Sequence, residues 1–146
     1  MFAIELRSRH DAQNGDGPTA EAPGLIVIGA FAETFKAPLG FWGESDYRRS
    51  WRRAFEVLSA NPHSSSCLMT SMTDPGNSNF LTCWPMYREG EDVYIQHAII
   101  ILDEIEGRFD HAAPWDFVGP RIRMGEEGNN LSEWVTSMSA LREFFG

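Results

Sequence analysis

The stretch Phe80–Asp103, FLTCWPMYREGEDVYIQHAIIILD, constrains this chain more than any other. Two runs of strand-forming residues flank a charged connection, Arg88-Glu89-Gly90-Glu91-Asp92. Phe80, Leu81, Thr82, Trp84 and Tyr87 come before it; Val93, Tyr94, Ile95, Ile99, Ile100 and Ile101 come after. A glycine in a short polar link between two such runs specifies a β-hairpin. Pro85 sits inside the first run and removes a backbone donor, so that strand is expected to bulge there or to turn the position toward an open edge. The arms supply a core and, by themselves, no chemistry.

The remaining elements must cover that hairpin. Phe2–Ser8 alternates apolar and polar residues and reads as a half-buried strand. Arg9–Pro23 is rich in Gly, Pro, Asn and Asp and reads as a long mobile loop. Its Asp11, Asn14 and Asp16 lack the spacing of an EF-hand calcium loop. Leu25–Lys36 reads as one strand, continuously apolar at its start, with Gly29 marking a bulge or a close approach. Glu44–Ala60 is the clearest helix: Tyr47, Trp51, Ala54, Phe55 and Leu58 form one stripe. Gly43 or Ser45 can cap it, Trp42 can staple against Tyr47, and Asn61-Pro62 stops it. Arg48, Arg49, Arg52 and Arg53 fall off the stripe, on a solvated face.

Ser64–Thr73 gives a further strand around Cys67–Met72, followed by a turn at Asp74-Pro75-Gly76-Asn77. Beyond the hairpin, Asp103–Arg108 is an acidic turn and Asp110–Pro120 a loop packed by its own Pro and aromatic side chains. Arg121–Met124 reads as a short strand, Leu131–Thr136 as the last strand, and Ser137–Phe145 as a short C-terminal helix. These elements define an α+β fold: a mainly antiparallel, twisted β-sheet of about five to seven strands with one main helix on a face and the short C-terminal helix. Residues 1–146 form one domain, with 9–23 as its mobile loop.

Charge narrows the partners. The net charge is −9; residues 1–88 carry 9 acids against 8 bases, and residues 89–146 carry 12 against 4. An acidic half repels phosphates and argues against direct nucleic-acid binding. It permits a basic protein partner to be steered in, although solubility alone also explains it. No apolar run reaches membrane-spanning length, and the start lacks the basic-then-apolar pattern of a secretory signal. Cys67 and Cys83 read as two buried, reduced thiols.

Catalytic signals are sparse. His10, His63, His97 and His111 include no i, i+4 pair, and no paired Cys spacing supports zinc, so no metal site is expected. Gly125–Gly128 is neither a P-loop nor a dinucleotide fingerprint, and no G-x-S-x-G elbow occurs. An enzyme is still conceivable, because catalytic groups meet in space and not in sequence. The form it would take is a small hydrolase or transferase built on a His–carboxylate pair at His97 or His111. A third reading is a scaffold that self-associates through an exposed aromatic patch.

Several spaced residues form a recognisable pattern. Trp42 precedes Asp46-Tyr47 and Trp51, with Ala54 and Leu58 behind; Asp74-Pro75 precedes Asn79-Phe80. Then come Trp84-Pro85-Met86-Tyr87-Arg88, Gly90, Asp92-Val93-Tyr94 and Gln96, and finally Arg121 and Leu131-Ser132-Glu133-Trp134. Over Gly24–Thr136 this resembles the immunity proteins of bacterial contact-dependent growth inhibition (CDI) systems. The resemblance implies a cytoplasmic, non-catalytic protein without a cofactor. It would bind the toxic C-terminal domain of a cognate delivered effector, often a nuclease, and block it. The matching Trp51, Trp84 and Tyr94 are expected in the core, and Asp74, Arg88 and Arg121 in turns or ion pairs. Contacts to the toxin are therefore sought elsewhere. On charge and turn position they are expected at Glu89, Glu91, Asp92, Asp103, Glu104 and Glu106. The two acidic groups flank a strand about 35 Å long at ~3.3 Å per residue, so at most one can centre a small interface.

Overall fold

The computed structural model describes residues 1–7, 20–105, 107–125, 128 and 130–146. It contains two antiparallel sheets and two helices. In the first sheet β1 (Phe2–Leu6), β2 (Glu21–Ile28) and β3 (Phe31–Pro38) lie in chain order. The second contains β4 (Ser65–Ser71), β5 (Phe80–Glu89), β6 (Asp92–Ile95) and β8 (Trp134–Ser137) in that order, with β7 (Ala98–Ile101) paired to β5. Helix α1 (Glu44–Ser59) links the sheets, and α2 (Met138–Phe145) closes the chain.

Helix α1 starts as its sequence requires. Gly43 is the N-cap, and its N–H donates to the Asp46 carboxylate at 2.9 Å. Trp42 meets Tyr47 edge to face at 5.1 Å, the expected staple. The stripe then docks on β4: Trp51 Nε1 donates to the Met69 carbonyl at 2.7 Å, and Ser66 Oγ to the Ala54 carbonyl at 2.8 Å. The Tyr47 hydroxyl donates to the Pro38 carbonyl and accepts from the Met72 N–H, tying β3 to the end of β4. Burial pushes the Tyr47 phenol up to about 12, so it remains a neutral donor. Ile4, Ile26, Leu58, Leu68, Trp84, Met86, Ile95 and Met138 are fully buried in one core spanning both sheets and both helices. Each such side chain contributes about 1.5–3 kcal/mol on leaving water.

Four local expectations need correction. Leu25–Lys36 is two strands: Gly29, at φ 61°, opens a two-residue turn that pairs Ile28 with Phe31. Glycine at the first turn position suits a primed hairpin turn, and a two-residue turn leaves the alternation almost unbroken, so the join was hidden. The predicted 9–23 loop also extends too far. Glu21, Ala22 and Pro23 belong to β2, opposite Pro38, Ala37 and Lys36, and the rest of that segment up to Thr19 lies outside the described residues.

The third correction concerns Pro85, which neither bulges nor faces an open edge. Strand β5 is central, and the ladders to β6 and β7 share one register on either side of Pro85. The Gln96 N–H donates to the Pro85 carbonyl at 3.0 Å. The return bond cannot form because proline has no N–H, and the ladder lapses over Gln96-His97. The bulge sits in β4, where the register shifts between Met69 and Ser71. Fourth, Arg121–Met124 forms only an isolated bridge, Met124 to Asn130.

Candidate partner-binding surface

Most residues of the recognised pattern do structural work. Arg88 reaches back to the end of α1, where its guanidinium donates to the carbonyls of Leu58 (3.0 Å), Ser59 (3.2 Å) and Asn61 (3.4 Å). Those carbonyls lack helical partners, and a cation suits the negative end of the helix. Arg121 binds Glu133 through two bonds, 2.8 and 2.5 Å, and lies 3.7 Å from the centre of the Tyr94 ring. The same carboxylate accepts from Gln96 Nε2 at 2.8 Å. The Arg121 hydrogen bonds hold the Glu133 carboxyl below the usual carboxylate range, with Gln96 helping, and they push Arg121 up. This cluster pins the segment after the aromatic loop to β6 and β8. Trp51 and Trp84 are buried as expected, whereas Tyr94 is half-buried under Arg121.

The expected contact residues separate into two groups. Glu89, Glu91 and Asp92 lie together at the exposed β5–β6 turn, where Gly90 takes φ 65°. Two of these three are already engaged. Glu89 lies 3.1 Å from His63 Nδ1. Glu91 accepts from the Ser139 N–H at 2.8 Å, at the start of α2, and faces Arg142 at 3.6 Å. Asp103 and Glu104 form an exposed 3₁₀ turn just past β7, at the far end of the strand, and neither has an ion-pair partner among the described residues. Glu106 lies outside the described residues.

The histidines make no catalytic centre in the described residues. His97 is exposed and lies over Trp84 at 4.6 Å; His111 packs edge-on to Phe41 at 5.2 Å. Neither hydrogen-bonds a carboxylate among the described residues, and the one His–carboxylate contact there, His63 with Glu89, is open to solvent. Among the described residues no group of three His, Cys, Asp or Glu gathers to hold a metal. Cys67 and Cys83 are free and buried, and the neighbouring Cys83 thiol together with burial pushes the Cys67 thiol up. The exposed aromatics among the described residues are Phe41, between β3 and α1, Phe80, at the start of β5, and Phe144, near the end of α2. Among the described residues no helix is long and apolar enough to cross a membrane.

One surface escaped the charge-based reasoning. An open groove of about 400 Å³ lies beside β7, lined by Ile99, Ile101, Pro120, Ile122, Leu131 and Glu104 among others. The consecutive isoleucines Ile99-Ile100-Ile101 were its signal: a strand covered on one face would show alternation.

The described residues build an α+β fold of two antiparallel sheets and two helices, held together by the residues of the recognised pattern. Residues 37–144 match the CdiI N-terminal domain family. The immunity protein CdiI of Enterobacter cloacae subsp. cloacae is 35% identical over 146 residues, covering 99% of this chain and 97% of that protein. Among solved structures, the CdiA-CT/CdiI toxin and immunity complex from Enterobacter cloacae matches at a TM-score of 0.86 and 30% identity. That match covers 99% of this chain and 96% of the other. The chain belongs to the CdiI immunity protein family.

Proposed function

We propose that this chain is a non-enzymatic inhibitor that neutralises a cognate CDI toxin by binding the toxin's C-terminal domain in the bacterial cytoplasm. The observation that carries this reading is the likeness, over nearly the whole chain, to an immunity protein solved with its CdiA-CT toxin. The toxin is a nuclease in this reading. Nucleases present a basic cleft to phosphates, and residues 89–146 carry 12 acids against 4 bases.

Of the two acidic ends, Asp103–Glu104 is the better contact. Its carboxylates are exposed and without ion partners among the described residues, whereas Glu89 and Glu91 hold internal contacts. Rim charges act chiefly on association rate. The pair D103K/E104K is expected to slow association with the cognate toxin domain by about tenfold at low salt, and E89K/E91K by no more than about twofold. Stopped-flow or biolayer kinetics at two ionic strengths measure this. Equal effects from both pairs would remove Asp103–Glu104 as the preferred end, and failure of the wild type to protect cells expressing the toxin would sink the whole reading.

A further inference from the structure

Strand β7 is an unguarded sheet edge. Its ladder to β5 is bracketed by two backbone bonds, Gln96 N–H to the Pro85 carbonyl and Leu102 N–H to the Asn79 carbonyl. In an antiparallel pair, successive residues turn their backbone groups alternately toward and away from the partner. Ala98 and Ile100 therefore spend theirs on β5, and Ile99 and Ile101 present theirs to the open side. Among the described residues nothing pairs with that side.

Other strand edges in the molecule are protected. The Met69 carbonyl of β4 accepts from Trp51, and the Leu6 carbonyl of β1 from Arg48. Strand β3 exposes Glu33 and Lys36, and β8 runs directly into α2. Charges, bulges and covering side chains are the usual defences of a free edge. Ala98–Ile101 contains no charge, no proline and no bulge. Instead Ile99 and Ile101 are 58% and 45% exposed, and Phe80, directly opposite Ile101, is 56% exposed. Ile122 and Leu131, also exposed, line the groove alongside.

We propose that the outer edge of β7 receives an extended segment of the toxin domain as an added strand, so this inference rests on the toxin-binding reading above. Main-chain bonds to Ile99 and Ile101 hold the segment, and its apolar side chains at alternate positions fill the groove. A basic residue at one end of the segment meets Asp103 and Glu104, which follow β7 directly. Charge selects this occupant over a second copy of the chain: the molecule carries −9, most of it in this half, and two copies edge to edge would repel.

The proposal is tested with the full chain and the toxin domain encoded beside it. Ile99→Pro removes an outward N–H and no bond to β5. It is expected to weaken toxin binding about ten- to hundredfold, while V135K on β8 stays within about twofold of wild type. Hydrogen exchange on the wild type gives a second readout that needs no variant. The Ile99 and Ile101 amides should exchange freely in the free protein and become protected in the complex, whereas Ile100 is protected in both. Wild-type binding with intact I99P affinity, or with Ile99 and Ile101 still unprotected, overturns the edge proposal alone. A toxin-free dimer abolished by I99P assigns the edge to a second copy and also overturns it. No wild-type binding at all overturns the toxin reading and this proposal together.

Discussion

At the scale of single residues, the Arg121–Glu133 pair shows how a family signature can report architecture. Both side chains are about four-fifths buried, and Glu133 accepts three hydrogen bonds, two from Arg121 and one from Gln96. Removing the charge strands a partly buried guanidinium, so E133Q should destabilise the fold by about 2 kcal/mol at neutral pH. The pH dependence has a definite sign. The folded carboxyl titrates below its unfolded value of about 4.5. Its contribution is thus complete above that value and is lost as pH falls through the lower folded one. Urea midpoints for wild type and E133Q should differ most near pH 7 and converge as the pH falls through the lowered titration of the folded Glu133 carboxyl. The expectation of structural roles for Arg88 and Arg121 was legible as a type, although only Arg121 meets a carboxylate, while Arg88 caps the carbonyls at the end of α1. Which carboxylate Arg121 would meet was not: Glu133 comes close only once both flanking segments have folded onto Gln96.

At the scale of elements, the sequence spoke clearly wherever period and cap agreed. Helix α1 ended within a residue of its expected bounds because a 3.6-residue stripe, a glycine cap and Asn61-Pro62 all pointed to the same segment. The β2–β3 hairpin was missed because Leu25–Ile28 and Phe31–Lys36 read as one strand across a two-residue turn. Glycine 24 marks the same hairpin from another side. It lies opposite Phe35, whose ring covers it; an added Cβ would fall 2.3 Å from the ring. Phe35 in turn stands edge-on to Trp51 at 6.4 Å. G24A must displace that ring from its place beside Trp51 and should cost about 1–3 kcal/mol, read as a lower denaturation midpoint with an unchanged m-value. The edge of β7 was the least legible element. Its exposure depends on which strands fail to pair with it, and that is a property of topology.

Across the whole molecule, charge and apolar surface are divided in a way the sequence half revealed. The imbalance between residues 1–88 and 89–146 is plain from composition, and the structure adds that the β5–β6 end is tied to His63 and α2 while the β7 end is not. Composition could not make that distinction, since His63 and Glu89 are far apart in the chain and meet only through the pairing of β4 with β5.

Phe2, near the start of the chain, packs on Phe144 at 5.7 Å and on Phe145 at 6.0 Å. Strand β6, meanwhile, has its outer partner in β8, which hands directly to α2 through the Ser137 cap. The first sheet therefore pairs within residues 2–38, but the second stays incomplete until β8 is available, and Phe2 stays uncovered until α2 has formed. Pairings of such long sequence separation are slow to form. Arrival of β8 and α2, more than formation of the first sheet, then sets when the core can close, and a chain truncated after Glu133 should remain protease-sensitive and show no cooperative melting transition in calorimetry.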